Sequence, residues 1–277
     1  MIGVFDSGSG GLTILEALRH AFPDQDFIYL GDHARAPYGH RSNERIVKYT
    51  EQACDFLMQK GCDLVILACN TAAAIAGRKL QQEWLPNHYP DNRILGVVVP
   101  MVEALTGVPW HQQSPVQDGP AHHVGLFATK KTVESGTYAR EIEKRAPDLT
   151  LTEHACPGLV DAIEGGAGFK PLTGLIGGYI AEMRELAGET PDAIVLGCTH
   201  FPLVRDQFRI FLGDEIPILC QPTIVAESLS DYLSRHPRFR QGGNGSVKLY
   251  TTGKKGKRET LAKFLPPELT VFKSIKL

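Results

Sequence analysis

The sequence lacks the features that mark membrane-spanning, secreted and nucleic-acid-binding chains. Its longest apolar run, residues 94–102, is far shorter than the about 20 residues that a membrane-spanning helix needs. The start, MIGVFDSG, has no positively charged segment and no cleavage site, so we expect a first strand and no secretory signal. With 29 basic and 31 acidic residues, the chain has no overall attraction for nucleic acid or for an anionic membrane.

Paired cysteine motifs are also missing. None of the 6 cysteines belongs to a C-x-x-C pair, which argues against a structural zinc site. Six cysteines in a chain of 277 residues without an export signal fit a reducing cytosol better than a disulfide framework. We therefore expect a cytoplasmic protein with reduced thiols and without a metal. No cofactor is expected either, because Lys130 and Lys131, the only lysines near a predicted strand end, are expected to face solvent, which argues against a pyridoxal-phosphate Schiff base. The histidine-containing segment 106–122 and the basic cluster 254–258 are expected to be solvated loops, so neither a metal site nor a nucleic-acid patch is predicted there.

Short β-branched runs alternate with longer amphipathic segments. Several runs are apolar throughout, as is typical of strands that are covered on both faces. A helix is predicted from Ser42, a good N-cap, with Ile46, Ala53 and Leu57 on one face, and another over residues 172–186. This alternation predicts an α/β fold with mostly parallel sheets, whose ligands bind outside the carboxyl ends of the strands. The predicted strands are 2–5, 27–30, 64–68, 94–99, 124–128, 149–153 and 194–197.

An internal repeat divides the chain. The segments DLVILACNT, containing Cys69, and DAIVLGCTH, containing Cys198, share one layout: an aspartate, a small or apolar run, a cysteine and two polar residues. The segments IGVFDS near residue 2 and VGLFAT near residue 124 are separated by a similar length of chain. Two such matches in the same order predict two pseudo-symmetric, Rossmann-like or flavodoxin-like halves.

The two matched cysteines indicate acid–base chemistry. Each follows an apolar strand where a helix is predicted to start, and helix-end N–H groups favour a negative charge on sulfur. If the halves face each other, one thiolate can remove a proton from a carbon stereocentre while the opposing thiol protonates the other face. A thiol hydrolase with His200 as its base would leave one cysteine unused, and a disulfide fits poorly with a cytosolic chain. Cys54 and Cys62 lack this placement, and we expect them to be buried.

A glycine-rich loop (residues 7–11, SGSGG) indicates the kind of ligand. It follows the first strand and offers backbone N–H groups to an anion. Its spacing matches neither the dinucleotide G-x-G-x-x-G motif nor a Walker loop, so a carboxylate is the expected ligand. Further hydroxyl, amide and backbone donors stand at other strand ends: Pro37, Tyr38, Gly39, Asn70, Thr71, Thr129, Thr132 and Thr199.

These motifs resemble the cofactor-independent glutamate racemases of the aspartate/glutamate racemase superfamily. Four blocks carry the resemblance, at residues 5–12, 32–39, 68–72 and 196–203. It implies interconversion of L- and D-glutamate, with D-glutamate supplied for the bacterial cell wall. It also implies two α/β domains, 1–98 plus 220–277 and 99–219, with the ligand between them, and a possible homodimer.

The resemblance assigns roles to individual residues as well. Cys69 and Cys198 become the two acid/base residues, assisted by Asp6 and His200. The residues then expected to contact the substrate are Asp6, Ser7, Tyr38, Gly39, Asn70, Thr71, Thr199 and His200.

The sequence departs from the family pattern in places, and two alternative functions remain. The residues after Cys156 and Pro157 differ from the family pattern, which argues against an assisting role for Glu164. An aspartate racemase would use the same chemistry on a substrate that is one methylene shorter. The sequence alone separates the two substrates poorly, since one methylene contributes only about 1–3 kcal/mol to discrimination. A regulatory protein that retains a carboxylate pocket is the alternative without catalysis.

Overall fold

The computed structural model describes residues 1–109, 122–253 and 266–277, which form two compact units. Unit 1 comprises Met1–Val97 and Pro222–Leu277, and unit 2 comprises Val98–Gln221. The cluster 254–258 and most of the segment 106–122 lie outside the described residues. Within the described part, no helix is both long and apolar enough to cross a bilayer.

Strands and helices alternate through most of the described chain. The strands are β1 (Ile2–Asp6), β2 (Phe27–Gly31), β3 (Leu64–Leu67), β4 (Arg93–Gly96), β5 (His123–Ala128), β6 (Thr150–Ala155), β7 (Ala193–Gly197), β8 (Ile218–Cys220), β9 (Val247–Thr251) and β10 (Lys273–Ser274). The α-helices are α1 (Leu12–Ala21), α2 (Asn43–Gln59), α3 (Asn70–Ala72), α4 (Leu85–His88), α5 (Val98–Thr106), α6 (Lys130–Glu134), α7 (Thr137–Glu143), α8 (Leu159–Glu164), α9 (Phe169–Ala187), α10 (Arg205–Leu212) and α11 (Gln221–Arg235). Two π-helical stretches, Ala73–Gly77 and Leu80–Trp84, continue α3 towards α4.

Each unit contains one parallel sheet, and four neighbouring strands have the same order in both sheets. The sheet of unit 1 has the order β10-β9-β2-β1-β3-β4, and that of unit 2 has the order β6-β5-β7-β8. The series β2-β1-β3-β4 therefore matches β6-β5-β7-β8 strand for strand. The register matches as well, because Ile2 faces Leu64 across β1 and β3 as Val124 faces Ala193 across β5 and β7. The predicted α/β fold with two mostly parallel sheets is confirmed.

Apolar strands explain why the sheets form where the sequence predicts. Every residue of β1, β2, β3, β5 and β7 is buried, as expected for parallel strands covered by helices on both faces. Ser42 caps α2 by accepting a hydrogen bond from the Arg45 N–H, so the predicted helix start is confirmed.

Some predicted boundaries are wrong. The strand predicted over 94–99 ends at Gly96, and the following valines begin α5, because a buried apolar run suits a helix as well as a strand. The strand predicted over 149–153 runs instead from Thr150 to Ala155. The sequence analysis missed β8, β9 and β10, which are short or partly exposed.

Candidate active site

Cys69 lies at the carboxyl end of β3 and begins a helix. It is the N-cap residue of α3, and its carbonyl oxygen accepts a hydrogen bond from the Ala73 N–H at 2.8 Å. Its Sγ lies 3.3 Å from the Ser7 Oγ at the start of the glycine-rich loop, and the residue is 6% exposed. The start of this helix therefore confirms the placement that the sequence predicts for Cys69.

Asp6 lies beside this thiol region at the end of β1. The carboxyl group is fully buried, and its Oδ2 accepts a hydrogen bond from the Gly8 N–H at 2.8 Å. Gly11 permits the close approach of the loop, since a Cβ added there would lie 2.6 Å from the Asp6 Cβ. Asn70 and Thr71, each 3% exposed, begin α3 directly after the cysteine.

The turn at residues 37–39 belongs to the same unit, but the Tyr38 side chain faces inwards. Tyr38 is 1% exposed, and its hydroxyl donates to the Asp32 Oδ2 at 2.6 Å. Burial raises the pKa of Tyr38 far above its ordinary value, and the charge of Asp32 adds to the effect. Any contact of Tyr38 with a ligand therefore involves its backbone or ring and not a free hydroxyl. Pro37 and Gly39, on either side, are partly exposed.

Cys198 occupies the corresponding place after β7, but no α-helix begins there. The Phe201 N–H donates to the Cys198 carbonyl at 3.0 Å, and the Leu203 N–H donates to the His200 carbonyl at 3.1 Å. These bonds between residues three apart form a turn and a 3₁₀ segment, and α10 starts only at Arg205. The prediction of a helix opening directly at Cys198 is therefore wrong, and a helix dipole contributes little at this sulfur.

His200 takes the place of the missing helix end as a source of positive charge. Its Nδ1 lies 3.9 Å from the Cys198 Sγ, and its Nε2 lies 2.9 Å from the Glu164 Oε1. Burial opposes protonation of this imidazole, but the hydrogen bonds to Cys198 and Glu164 outweigh it and raise the pKa of His200 well above its usual value. The protonated ring then stabilises a negative charge on the neighbouring sulfur.

Glu164 makes a contact with His200 that the sequence analysis did not expect. It is the last residue of α8, and it contacts His200 across 36 positions of sequence. Only the tertiary structure brings the two together.

The threonines predicted as donors in unit 2 differ in their surroundings. Thr129 is the N-cap residue of α6, and its hydroxyl lies 3.1 Å from that of Thr132. Thr132 is fully buried, and its hydroxyl is placed to orient Thr129. Thr199, 3% exposed, lies between Cys198 and His200.

The shared strand register defines which site residues are equivalent in the two units. Unit 2 has an alanine in the place of the buried aspartate of unit 1, and unit 1 has a threonine in the place of the imidazole of unit 2. The equivalent pairs are Asp6 and Ala128, Ser7 and Thr129, Cys69 and Cys198, and Thr71 and His200.

Comparison with known proteins agrees with this arrangement. A family model described as Asp/Glu/Hydantoin racemase matches residues 11–228. The chain belongs to this family. Glutamate racemases of Phenylobacterium zucineum and Roseobacter denitrificans are 43% and 45% identical to it, over 94% and 91% of each pair of chains. The crystal structure of Francisella tularensis glutamate racemase in complex with D-glutamate is 27% identical, with a TM-score of 0.82 over 100% of this chain and 96% of that one.

Three further cysteines of this racemase-family chain are buried, and burial raises the pKa of their thiols. Cys54 and Cys62 are fully buried, as predicted, and burial raises the pKa of Cys62 to about 12. Burial also raises the pKa of Cys156, which is 3% exposed. Among the described residues, no group of three or more histidine, cysteine or acidic side chains could hold a metal ion.

Proposed function

We propose that this chain racemises glutamate, interconverting the L and D enantiomers and supplying D-glutamate for peptidoglycan. The observation that carries the proposal is the pair Cys69 and Cys198, which follow equivalent strands of two equivalent sheets. The names of the relatives, glutamate racemase in each case, support glutamate as the substrate.

The proposed reaction uses one thiol on each face of the α-carbon. One sulfur begins as a thiolate and removes the α-proton, while the other begins as a thiol and gives its proton to the opposite face. The products are the other enantiomer and the reversed pair of protonation states, so the same residues serve both directions. Protonated His200 favours the thiolate at Cys198, and Ser7 can donate to or accept from Cys69.

Removal of an α-proton without a cofactor requires strong stabilisation of the developing charge. Hydrogen-bond donors directed at the substrate carboxylates supply it, because an oxygen that gains charge binds N–H and O–H groups more tightly. We assign this role to the glycine-rich loop and to Asn70, Thr71, Thr129 and Thr199 at the strand ends.

A chirality assay on the full-length protein tests the proposal. Purified protein without added cofactor should convert L-glutamate to an equal mixture of enantiomers, and should act much more slowly on L-aspartate. Turnover of aspartate alone would identify an aspartate racemase. Binding of glutamate without turnover would contradict the proposal in favour of a regulatory carboxylate-binding protein.

The assembly and location of the protein remain part of the proposal. We place the enzyme in the cytoplasm and expect it to form a homodimer. Sedimentation velocity across a concentration series tests the dimer. A single species with the mass of one chain at every concentration would contradict it.

A further inference from the structure

A buried histidine outside the proposed catalytic pairs connects to the glycine-rich loop. The Nε2 of His33 lies 2.6 Å from the Ser9 Oγ. Its Nδ1 lies 3.0 Å from the Gly31 carbonyl oxygen and 2.8 Å from the Thr251 Oγ1. Both ring nitrogens therefore have partners, and the residue is 7% exposed.

The partners of His33 suit either tautomer of the neutral ring. With the proton on Nδ1, the ring donates to the Gly31 carbonyl oxygen and the Ser9 hydroxyl donates to Nε2. With the proton on Nε2, the ring donates to the Ser9 oxygen and the Thr251 hydroxyl donates to Nδ1. In both tautomers the bond with His33 orients Ser9, in the middle of the loop, towards the end of β2.

Two glycines make room for this ring. A Cβ at Gly31 would lie 2.4 Å from the His33 Cε1, and a Cβ at Gly253 would lie 2.7 Å from the His33 Cβ. Phe272 packs edge-on against the imidazole, with 5.7 Å between ring centroids. The ring is thus confined by strand ends and by the last segment of the chain.

The loop is held at the neighbouring residue as well. The Gly8 N–H donates to the Asp6 Oδ2 at 2.8 Å, and the Gly8 carbonyl accepts from the Tyr29 hydroxyl at 2.8 Å. With Ser9 tied to His33, two consecutive loop residues are fixed directly after Ser7, whose hydroxyl contacts Cys69.

We propose that His33 is a positioning residue, which acts through Ser9 to hold the glycine-rich loop in the form that presents Ser7 to Cys69. Its effect on catalysis rests on the proposed racemase function, whereas its effect on the Cys69 thiol does not. Neither residue touches the reacting atoms.

Selective alkylation tests the effect on the thiol, with Cys198 as the reference in the same molecule. Ser9→Ala and His33→Phe each remove the hydrogen bond, and the phenyl ring keeps the packing against Phe272. Because the covered Cys69 sulfur becomes accessible when the loop loosens, its iodoacetamide rate relative to Cys198 should rise about threefold. His33→Gln, whose amide can still form a hydrogen bond with Ser9, should show a smaller change.

Thr50→Val is the matched control, because it removes a buried hydroxyl that donates to the Ile46 carbonyl in α2 of the same unit. It should leave the Cys69 to Cys198 ratio unchanged. An unchanged ratio in folded Ser9→Ala and His33→Phe would overturn the proposal. Should His33→Phe fail to fold, Ser9→Ala alone decides.

Isotope effects test the catalytic consequence. We expect kcat/KM to fall about tenfold in Ser9→Ala, equally for both enantiomers because their free energies are equal. The isotope effect on kcat/KM with α-deuterated substrate should rise for the enantiomer that Cys69 deprotonates and fall for the other, since only one proton transfer becomes slower. A loss of thermal stability with unchanged isotope effects would reveal a merely structural role and overturn the catalytic part. An inactive wild type whose alkylation ratio still responds would overturn the racemase proposal and leave the positioning of Cys69 supported.

Discussion

The surroundings of Cys69 and Cys198 differ far more than the strands that carry them. Both follow the third strand of an equivalent sheet in the same register. Cys69 caps a helix and meets a serine hydroxyl, next to a buried aspartate. Cys198 begins a 3₁₀ turn and meets an imidazole that a glutamate supports.

This difference suits a reaction whose two thiols must start in opposite protonation states. A duplicated strand frame supplies two sulfurs at matching positions, and divergent side chains then distinguish them. The imidazole of His200 places a positive charge beside one sulfur, and Ser7 offers a neutral hydrogen-bond partner to the other. Variants that remove one partner at a time test whether the asymmetry is functional.

The largest expected effect comes from the thiols themselves. Cys69→Ser and Cys198→Ser should each lower kcat/KM by about 10³-fold or more, because a hydroxyl is a far weaker acid than a thiol at neutral pH. A chirality assay measures the loss. Cys220→Ala, at a partly buried cysteine of β8, is the control and should keep most of the activity. Near-normal turnover by either serine variant would contradict the claim that both thiols are required.

Removal of the Glu164 charge should have the next largest effect. In Glu164→Gln the pKa of His200 falls, since one of the hydrogen bonds that raise it loses its charge. The imidazole then deprotonates at a lower pH, so the alkaline limb of the kcat/KM profile should move to lower pH, with an about tenfold loss near pH 8. An unmoved alkaline limb would show that protonated His200 is not required.

Ser7→Ala tests the surroundings of Cys69. Loss of the contact with the Cys69 Sγ should reduce kcat/KM about fivefold and leave the alkaline limb in place, because His200 is untouched. Thr129→Ala, at the equivalent position of unit 2, should cost less, since its hydroxyl contacts Thr132. Equal pH shifts in Ser7→Ala and Glu164→Gln would contradict the assignment of separate roles.

The smallest expected effect concerns stability and Glu153 in β6. Burial raises the pKa of Glu153 to about 7 from 4.5, and its Oε1 has no hydrogen-bond partner among the described residues. A carboxyl with a raised folded-state pKa stabilises the fold at low pH, and this contribution is lost as the pH rises through about 7. Glu153→Gln should therefore increase the free energy of unfolding by about 1 kcal/mol at pH 8 but not at pH 5, after allowance for partial exposure.

Urea unfolding at both pH values measures this difference, with exposed Glu143→Gln as the control. The corresponding residue of β2 in unit 1 is Tyr29, whose hydroxyl does have a partner, the Gly8 carbonyl. A larger gain at pH 5 than at pH 8 would contradict the assignment.

Local patterns account for what the sequence predicts correctly. Apolar strands bounded by polar residues mark β1, β3, β5 and β7, and repeated segments around Cys69 and Cys198 indicate the duplication. These signals lie within about ten consecutive residues, so they can be recognised without a fold.

Long-range contacts account for what the sequence does not predict. Glu164 meets His200 only after α8 packs in unit 2. His33 meets Thr251 across 218 positions of sequence, and the strand β9 that carries Thr251 shows no clear apolar pattern. Residue types alone identify candidates, and only the packed chain decides which side chains become partners.

Deuterium labelling tests the two-thiol account most directly. L-Glutamate is incubated with the enzyme in deuterated water. During the first few per cent of conversion the two enantiomers are separated, and mass spectrometry measures the deuterium content of each. The account predicts deuterium at the α-carbon of essentially all D-glutamate formed, with the remaining L-glutamate still protiated, because different sulfurs remove and deliver the proton. Product that retains the original α-proton, or equal labelling of both enantiomers from the start, would contradict it and indicate a single base.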